Sequence, residues 1–385
     1  MGMRKILLLI SCMMNLVSCT MENRQNSVAN ANDDSLFLLV GSYASPKKEG
    51  IKLYSFNQNV GEMRYVSGMK GISNPSYLTT SADGKRVFAV SEDGVETSAA
   101  SVIALDVLKG KFQKLDSQLT QGEAPCYIAL SPDEDFVVTA NYHGGSISVF
   151  PYDRQGKLDE PRVISFVGHG KDPERQDRAH LHCIGFSPDR KIMACVDLGT
   201  DCIHVFTLNA YSNQPTIPFL NEDDQQNLEL PAGCGPRHLC FSPNKKYVYL
   251  ITELSGEVIA MEYKGMDTQI IQTIKSDTLD AGGSADIHIT PDGRFLYTSH
   301  RLKGDGIAIF SVNETNGKLA RIGYQPTGLH PRNFVISPNG KYLLVACRDS
   351  NEIQIYEINT QNGLLKNTGK IVKTSQPTCL KFVGK

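Results

Sequence analysis

No tryptophan occurs among the 385 residues, which argues against the repeat class marked by a Trp-Asp dipeptide. No two cysteines have the C-x-x-C spacing of a zinc ribbon or redox motif. There is no dense Lys/Arg run, and the net charge is −2, so the basic stripe that a nucleic acid partner requires is missing. G-x-S-x-G is absent, and a covalent serine mechanism is not expected. No stretch of convincing length has a helical period. The one long apolar run, ILLLISCMMNLVSC, is too short to span a bilayer.

What is present is a sentence repeated six times: a short strand, a Ser/Thr-x-Asp/Asn turn, and a second strand rich in β-formers. Two of the copies read HLHCIGFSPDRKIMACVDL and PRNFVISPNGKYLLVACRD. Their turns begin at Ser81, Ser131, Ser187, Ser242, Thr290 and Ser337, so the period averages about 51 residues, that of a four-stranded propeller blade rather than of a helical repeat. Asn, Asp and Gly at the turns tolerate the positive φ that hairpins demand. Before the first copy, LFLLVGSYASPKKEGIKLYSFNQNVGEM resembles the later part of a repeat, and the terminal QPTCLKFV resembles only its first strand. The expectation is an all-β, seven-bladed β-propeller with four-stranded blades, its ring closed by pairing of the N- and C-terminal strands, which removes open edges. A repeat running the length of the chain gives one domain, residues 35–385.

The first 19 residues read as a signal peptide: Arg4 and Lys5 precede the apolar run, which ends in Leu16-Val17-Ser18-Cys19. That ending resembles the bacterial lipoprotein cleavage box, so Cys19 is the expected lipidation site. Residues 20–34 are polar and free of aromatics, as a flexible tether is. The expected location is the cell envelope, with a lipid anchor in the membrane. Of the ten cysteines, Cys126, Cys183, Cys195, Cys240, Cys347 and Cys379 fall in repeat strands, where Cys acts as a small buried hydrophobe. Cys202 and Cys234 fall near strand edges or loops, and a bridge between them stays open.

In a blade the start of the first strand and the end of the second share a rim. That rim collects His180, His182, Arg237, His238, Arg332 and Asn333 from strand starts. From strand ends it collects Glu92, Asn141, Tyr142, Asp197, Glu253, His300 and Arg301. Arg and Glu at blade edges also form ordinary inter-blade ion pairs, so no single one carries weight. As a set, three arginines converging on one channel call for an anion, and a guanidinium fork suits phosphate or carboxylate. His180 and His182 have no third ligand at matching spacing, so neither a metal nor another cofactor is expected.

GSYASPKKEGIKLYSF, ANYHGGSISVF, RQDRAHLHCIGFSPDRKIMACVDLGTD, GCGPRHLCFSPNKKYVYLITEL and HPRNFVISPNGKYLLVA resemble the seven-bladed propeller lactonases: the bacterial 6-phosphogluconolactonases of propeller type and fungal relatives that cyclise carboxymuconate. The resemblance covers nearly all of residues 35–385. It implies an active site at His182, Arg237, Glu253 and Arg301, with His180, Asn141 and Tyr142 nearby; these three and the rim residue Arg332 are the substrate-binding candidates. The family usually has Pro before its H-x-H, where this chain has Ala179.

The implied reaction is hydrolysis of a small-molecule sugar lactone carrying an anionic group, by water attack on the ring carbonyl. Two guanidinium groups would lower a Glu pKa and weaken it as a base, so His182 is the preferred general base and Glu253 its orienting partner. The leader complicates the substrate, because a phosphorylated sugar lactone is made in the cytoplasm. Two alternatives remain: a lactonising or lactone-opening enzyme on another organic acid, and a non-enzymatic propeller that binds a partner.

Overall fold

The computed structural model describes residues 35–209 and 219–384. The leader, Cys19 and the tether lie outside the described residues. Within them, twenty-eight strands form seven four-stranded antiparallel sheets. Blades 2 to 7 each use four consecutive strands, and blade 4 begins with Leu181–Phe186 and Ile192–Asp197. Blade 1 is composite, with Pro377–Phe382 pairing antiparallel to Ser35–Ser42 as its innermost strand. The first strands touch one another in sequence order around the ring, from Leu78–Thr80 through Pro331–Ile336 to Pro377–Phe382 and back.

The turn chemistry explains the repeated sequence. Ser81 donates its hydroxyl to Asp83 and accepts the N–H of Arg86, and the same pair of bonds forms at Ser187, Ser242, Thr290 and Ser337. The residue three after the hydroxyl has positive φ in all six copies: Gly84, Glu134, Arg190, Lys245, Gly293 and Gly340. Glycine accepts that conformation without a Cβ penalty, while the other three are held in it by the hydroxyl bonds.

Burial follows the blades. Seven apolar clusters fill the seven blade interfaces, each formed by facing strands of two neighbours. The closing cluster joins Leu38, Tyr54 and Phe56 of blade 1 to Leu344 and Ile355 of blade 7, with Leu380 and Phe382 from the terminal strand. The eight cysteines among the described residues are free, Cys202 and Cys234 included. Burial pushes the Cys202 thiol up to about 12, which keeps it protonated and inert.

Candidate active site

Side chains alternate along a strand, so the repeat register decides which of them face the channel. Ser76, Cys126, His182, Arg237 and Arg332 each stand five residues before a turn-starting hydroxyl, and all five line a cavity of about 10 Å³ at the centre of the ring. That is room for one water molecule. Eleven residues after the turn come Glu92, Tyr142, Glu253 and Arg301. Antiparallel pairing brings these strand ends beside the throat, as Pro236 opposite Thr252 places Arg237 next to Glu253.

Glu253 is the electrostatic centre of the cluster. Its Oε2 accepts from Arg237 Nε at 2.7 Å and lies 3.2 Å from Arg301, and its Oε1 accepts from Arg175 at 2.7 Å. Burial alone would raise this carboxyl, but Arg301, Arg237 and Arg175 outweigh it and hold the pKa at about 2. Arg237, 1% exposed, also donates to the carbonyl of Ala285 at 2.6 Å. Arg301 donates to the carbonyls of Gly283 and Ser284. Burial lowers its pKa to about 9, so it stays a cation at neutral pH.

His182 has a different environment. Its buried Nδ1 has no hydrogen-bond partner, and its ring packs against Tyr142 at 5.5 Å and His238 at 5.1 Å. Burial, followed by the fields of Arg237, His238 and Arg332, holds its pKa well below 6.5. A neutral imidazole with a vacant acceptor, beside two guanidinium groups, can take a proton from a water and leave the charge of the resulting hydroxide partly neutralised.

Of the other sequence candidates, Arg332 lines the throat beside His182, 5.5 Å over the Tyr43 ring. Tyr142 stacks on His180 at 4.5 Å. Both contribute to an open cleft of about 420 Å³ that also takes in Arg175. His180 supports that ring through the Tyr142 carbonyl at 2.9 Å and Asp177 at 3.0 Å. Asn141 stands apart: it is fully buried, with its amide donating to Ser146 and Ser148 inside blade 3. Among the described residues no group of three or more His, Cys, Asp or Glu is placed to hold a metal ion.

Sequence reasoning missed two members. Arg175 comes from the long connection before blade 4, where no repeat register applies. Asp286 stands four residues before Thr290, one step past the throat position. It accepts from His238 at 2.8 Å and from Asn333 at 2.5 Å, bracing the ring on which His182 packs. Counting four and five residues back from each turn hydroxyl would have found Asp286.

Removing the charge of Glu253 strands three arginines. Glu253→Gln is expected to destabilise the fold by about 3–5 kcal/mol, the usual cost of breaking a buried pair from one side. Thermal melting checks this, and added sulfate should raise the melting temperature of the variant more than that of the parent. Equal melting temperatures would remove Glu253 as the anchor.

A family model described as lactonase, 7-bladed β-propeller, matches residues 37–382. The chain belongs to this lactonase family. A 6-phosphogluconolactonase of Formosa agariphila is 36% identical over 336 residues, covering 86% of this chain and 94% of that protein. One from Bacillus subtilis is 34% identical, covering 89% and 97%. Among solved structures, a Bacteroides fragilis protein assigned as a 6-phosphogluconolactonase superposes with a TM-score of 0.88 at 47% identity, covering 92% of this chain and 99% of that one. A periplasmic gluconolactonase of Pseudomonas aeruginosa gives a TM-score of 0.83 at 30% identity, covering 91% and 99%.

Proposed function

We propose that this lactonase opens a sugar lactone by general-base hydrolysis at the throat, with His182 as the base. The observation that carries the reading is the neutral, unpartnered imidazole of His182 beside Arg237. A water held at the throat gives a proton to His182 as its oxygen attacks the ring carbonyl carbon. The carbonyl oxygen becomes an oxyanion facing Arg237, whose orientation Glu253 fixes at 2.7 Å. Collapse breaks the bond from the carbonyl carbon to the ring oxygen. That oxygen takes the proton back from His182 and leaves as a hydroxyl, with a carboxylic acid as the other new group. Glu253, ionised down to about pH 2, orients arginines and carries no proton in this scheme. The cleft beside Tyr142 and Arg175 is the approach by which a sugar reaches the throat.

The test is acid release by residues 20–385 from a panel of sugar lactones, phosphorylated and not. Saturable turnover with a clear preference supports the reading. No turnover on any lactone, together with tight binding of a protein partner, would favour the scaffold alternative.

For location, we propose an exported, lipid-anchored protein. The run after Arg4 and Lys5 and the box ending in Cys19 support this, as does the 30% identical relative described as periplasmic. An envelope location favours a lactone without phosphate. Labelled palmitate is expected on the full chain and lost in Cys19→Ser, which should also leave the membrane fraction. Label in neither form would end the proposal.

A further inference from the structure

Glu92 and Glu253 occupy the same repeat position, eleven residues after Ser81 and Ser242, yet their surroundings are opposite. Three arginines lie on Glu253. Glu92 makes no ion pair among the described residues. Its Oε1 accepts from the Tyr43 hydroxyl at 2.8 Å, and its Oε2 is buried with no hydrogen-bond partner. Such an atom in a folded protein calls for an explanation, because its desolvation is uncompensated.

Two further polar groups at the throat lack partners. Arg332 is half-buried and stacked over Tyr43, with no hydrogen bond or ion pair to a described residue. Ser76 Oγ is buried and unsatisfied, and Ser76 and Arg332 both line the central cavity. Burial would lower the Arg332 pKa, but Tyr43 and Glu92 outweigh it and raise it, which places the three groups within one another's fields. Tyr43 is pushed up to about 12, chiefly by burial, and so remains a donor to Glu92. Around the throat there is thus a reactive pair, His182 with Arg237, and a set of groups without partners: the Arg332 guanidinium and the Ser76 hydroxyl at the cavity wall and, within the field of Arg332, the free oxygen of Glu92.

We infer that Glu92, held by the Tyr43 hydroxyl and joined by the Arg332 guanidinium over the same ring, is the subsite for a substrate hydroxyl, which donates to Glu92 Oε2 and accepts from Arg332. A sugar hydroxyl is the group that does both at once. A phosphate or carboxylate would satisfy Arg332 but leave Glu92 facing a like charge. The subsite therefore reads the polyol of the lactone and fixes the carbonyl relative to His182. The inference rests on the lactonase reading and adds to it the part of the substrate that is recognised.

The experiment compares glucono-1,5-lactone with its 2-, 3- and 4-deoxy analogues on the parent protein, Glu92→Gln and Tyr43→Phe. In Glu92→Gln the amide oxygen keeps the Tyr43 bond, so an NH2 group stands where the acceptor was. The parent is expected to lose about 10- to 100-fold in kcat/KM on one deoxy analogue, the range for a hydrogen bond to a charged group. Glu92→Gln should lose a similar factor on the full lactone and show no further penalty for that same analogue. Tyr43→Phe should show a smaller loss confined to that hydroxyl, which covers the case in which Glu92→Gln fails to fold. A uniform loss across all four lactones would overturn the subsite. If the parent turns over none of them, calorimetric binding of gluconate and the deoxygluconates gives the same comparison. Binding selective for one hydroxyl then supports the subsite while counting against hydrolysis, and binding that ignores hydroxyls, or no binding, overturns it.

Discussion

Deletion of residues 376–385 is expected to abolish folding. It removes Pro377–Phe382, the innermost strand of blade 1, and leaves Ser35–Ser42 with an open edge. Leu380 and Phe382 leave the closing cluster, where Phe382 packs 5.7 Å from Phe56. Loss of a large buried side chain costs about 2–5 kcal/mol, and two of them already rival the ~5–15 kcal/mol that holds a domain together. Polar contacts go as well: Leu380 N–H donates to Asn333, and the Thr378 hydroxyl donates to the Ser76 carbonyl beside the throat. Circular dichroism and solubility of the truncated chain check this. A truncated protein that melts like the parent would show that the chain ends do not close the ring.

The second large effect is on turnover. His182→Ala and Arg237→Ala are each expected to lower kcat/KM on the preferred lactone by about 100-fold or more, the usual scale for losing a proton acceptor or an oxyanion stabiliser. The two variants differ in what else they disturb. His182 makes no side-chain hydrogen bond to a described residue, so its truncation sacrifices packing alone and should leave a folded protein. Arg237 holds Glu253 and the Ala285 carbonyl, so its truncation also lowers the melting temperature. Arg237→Lys keeps the charge but not the fork and should recover little activity. As a control, Arg294→Ala alters an exposed pair with Asp292 in a turn at the other rim and should leave turnover nearly unchanged. Normal turnover per folded molecule in His182→Ala would make this rim a set of ion pairs.

The fold was legible because its rules are local. A hydroxyl, a carboxylate or amide two residues on, and an N–H five residues on close five of the six turns, and at Ser131 the hydroxyl accepts the N–H of Phe136, so the turns mark the period and the incomplete ends mark the closure. The candidate site was legible to the level of which rim its residues share, but not which face. Asn141 ends the second strand of blade 3 and Tyr142 opens the turn after it, and one step in sequence turns a side chain to the opposite face. Tyr142 reaches the cleft, whereas Asn141 binds hydroxyls within its blade, as does His300 with Ser276 and Ser284. Arg175 was beyond that logic, since the loop delivering it is set by tertiary contacts of Gln176 with Leu198 and Asp201.

The most direct test is the pH dependence of kcat/KM for the parent and His182→Ala. The base form of His182 is the neutral one, and its pKa is held well below 6.5 by burial, Arg237, His238 and Arg332. The rate should therefore stay on a plateau from pH 7 down through 6.5, where an ordinary histidine would already be half protonated, and fall only at more acid pH. Glu253 does not compete for this limb. Its depressed carboxyl supports stability fully above about 4.5, and that support is lost only as the pH falls toward about 2. The account predicts an acid limb in the parent below pH 6.5 and none in the residual activity of His182→Ala. The same acid limb in both proteins would contradict it.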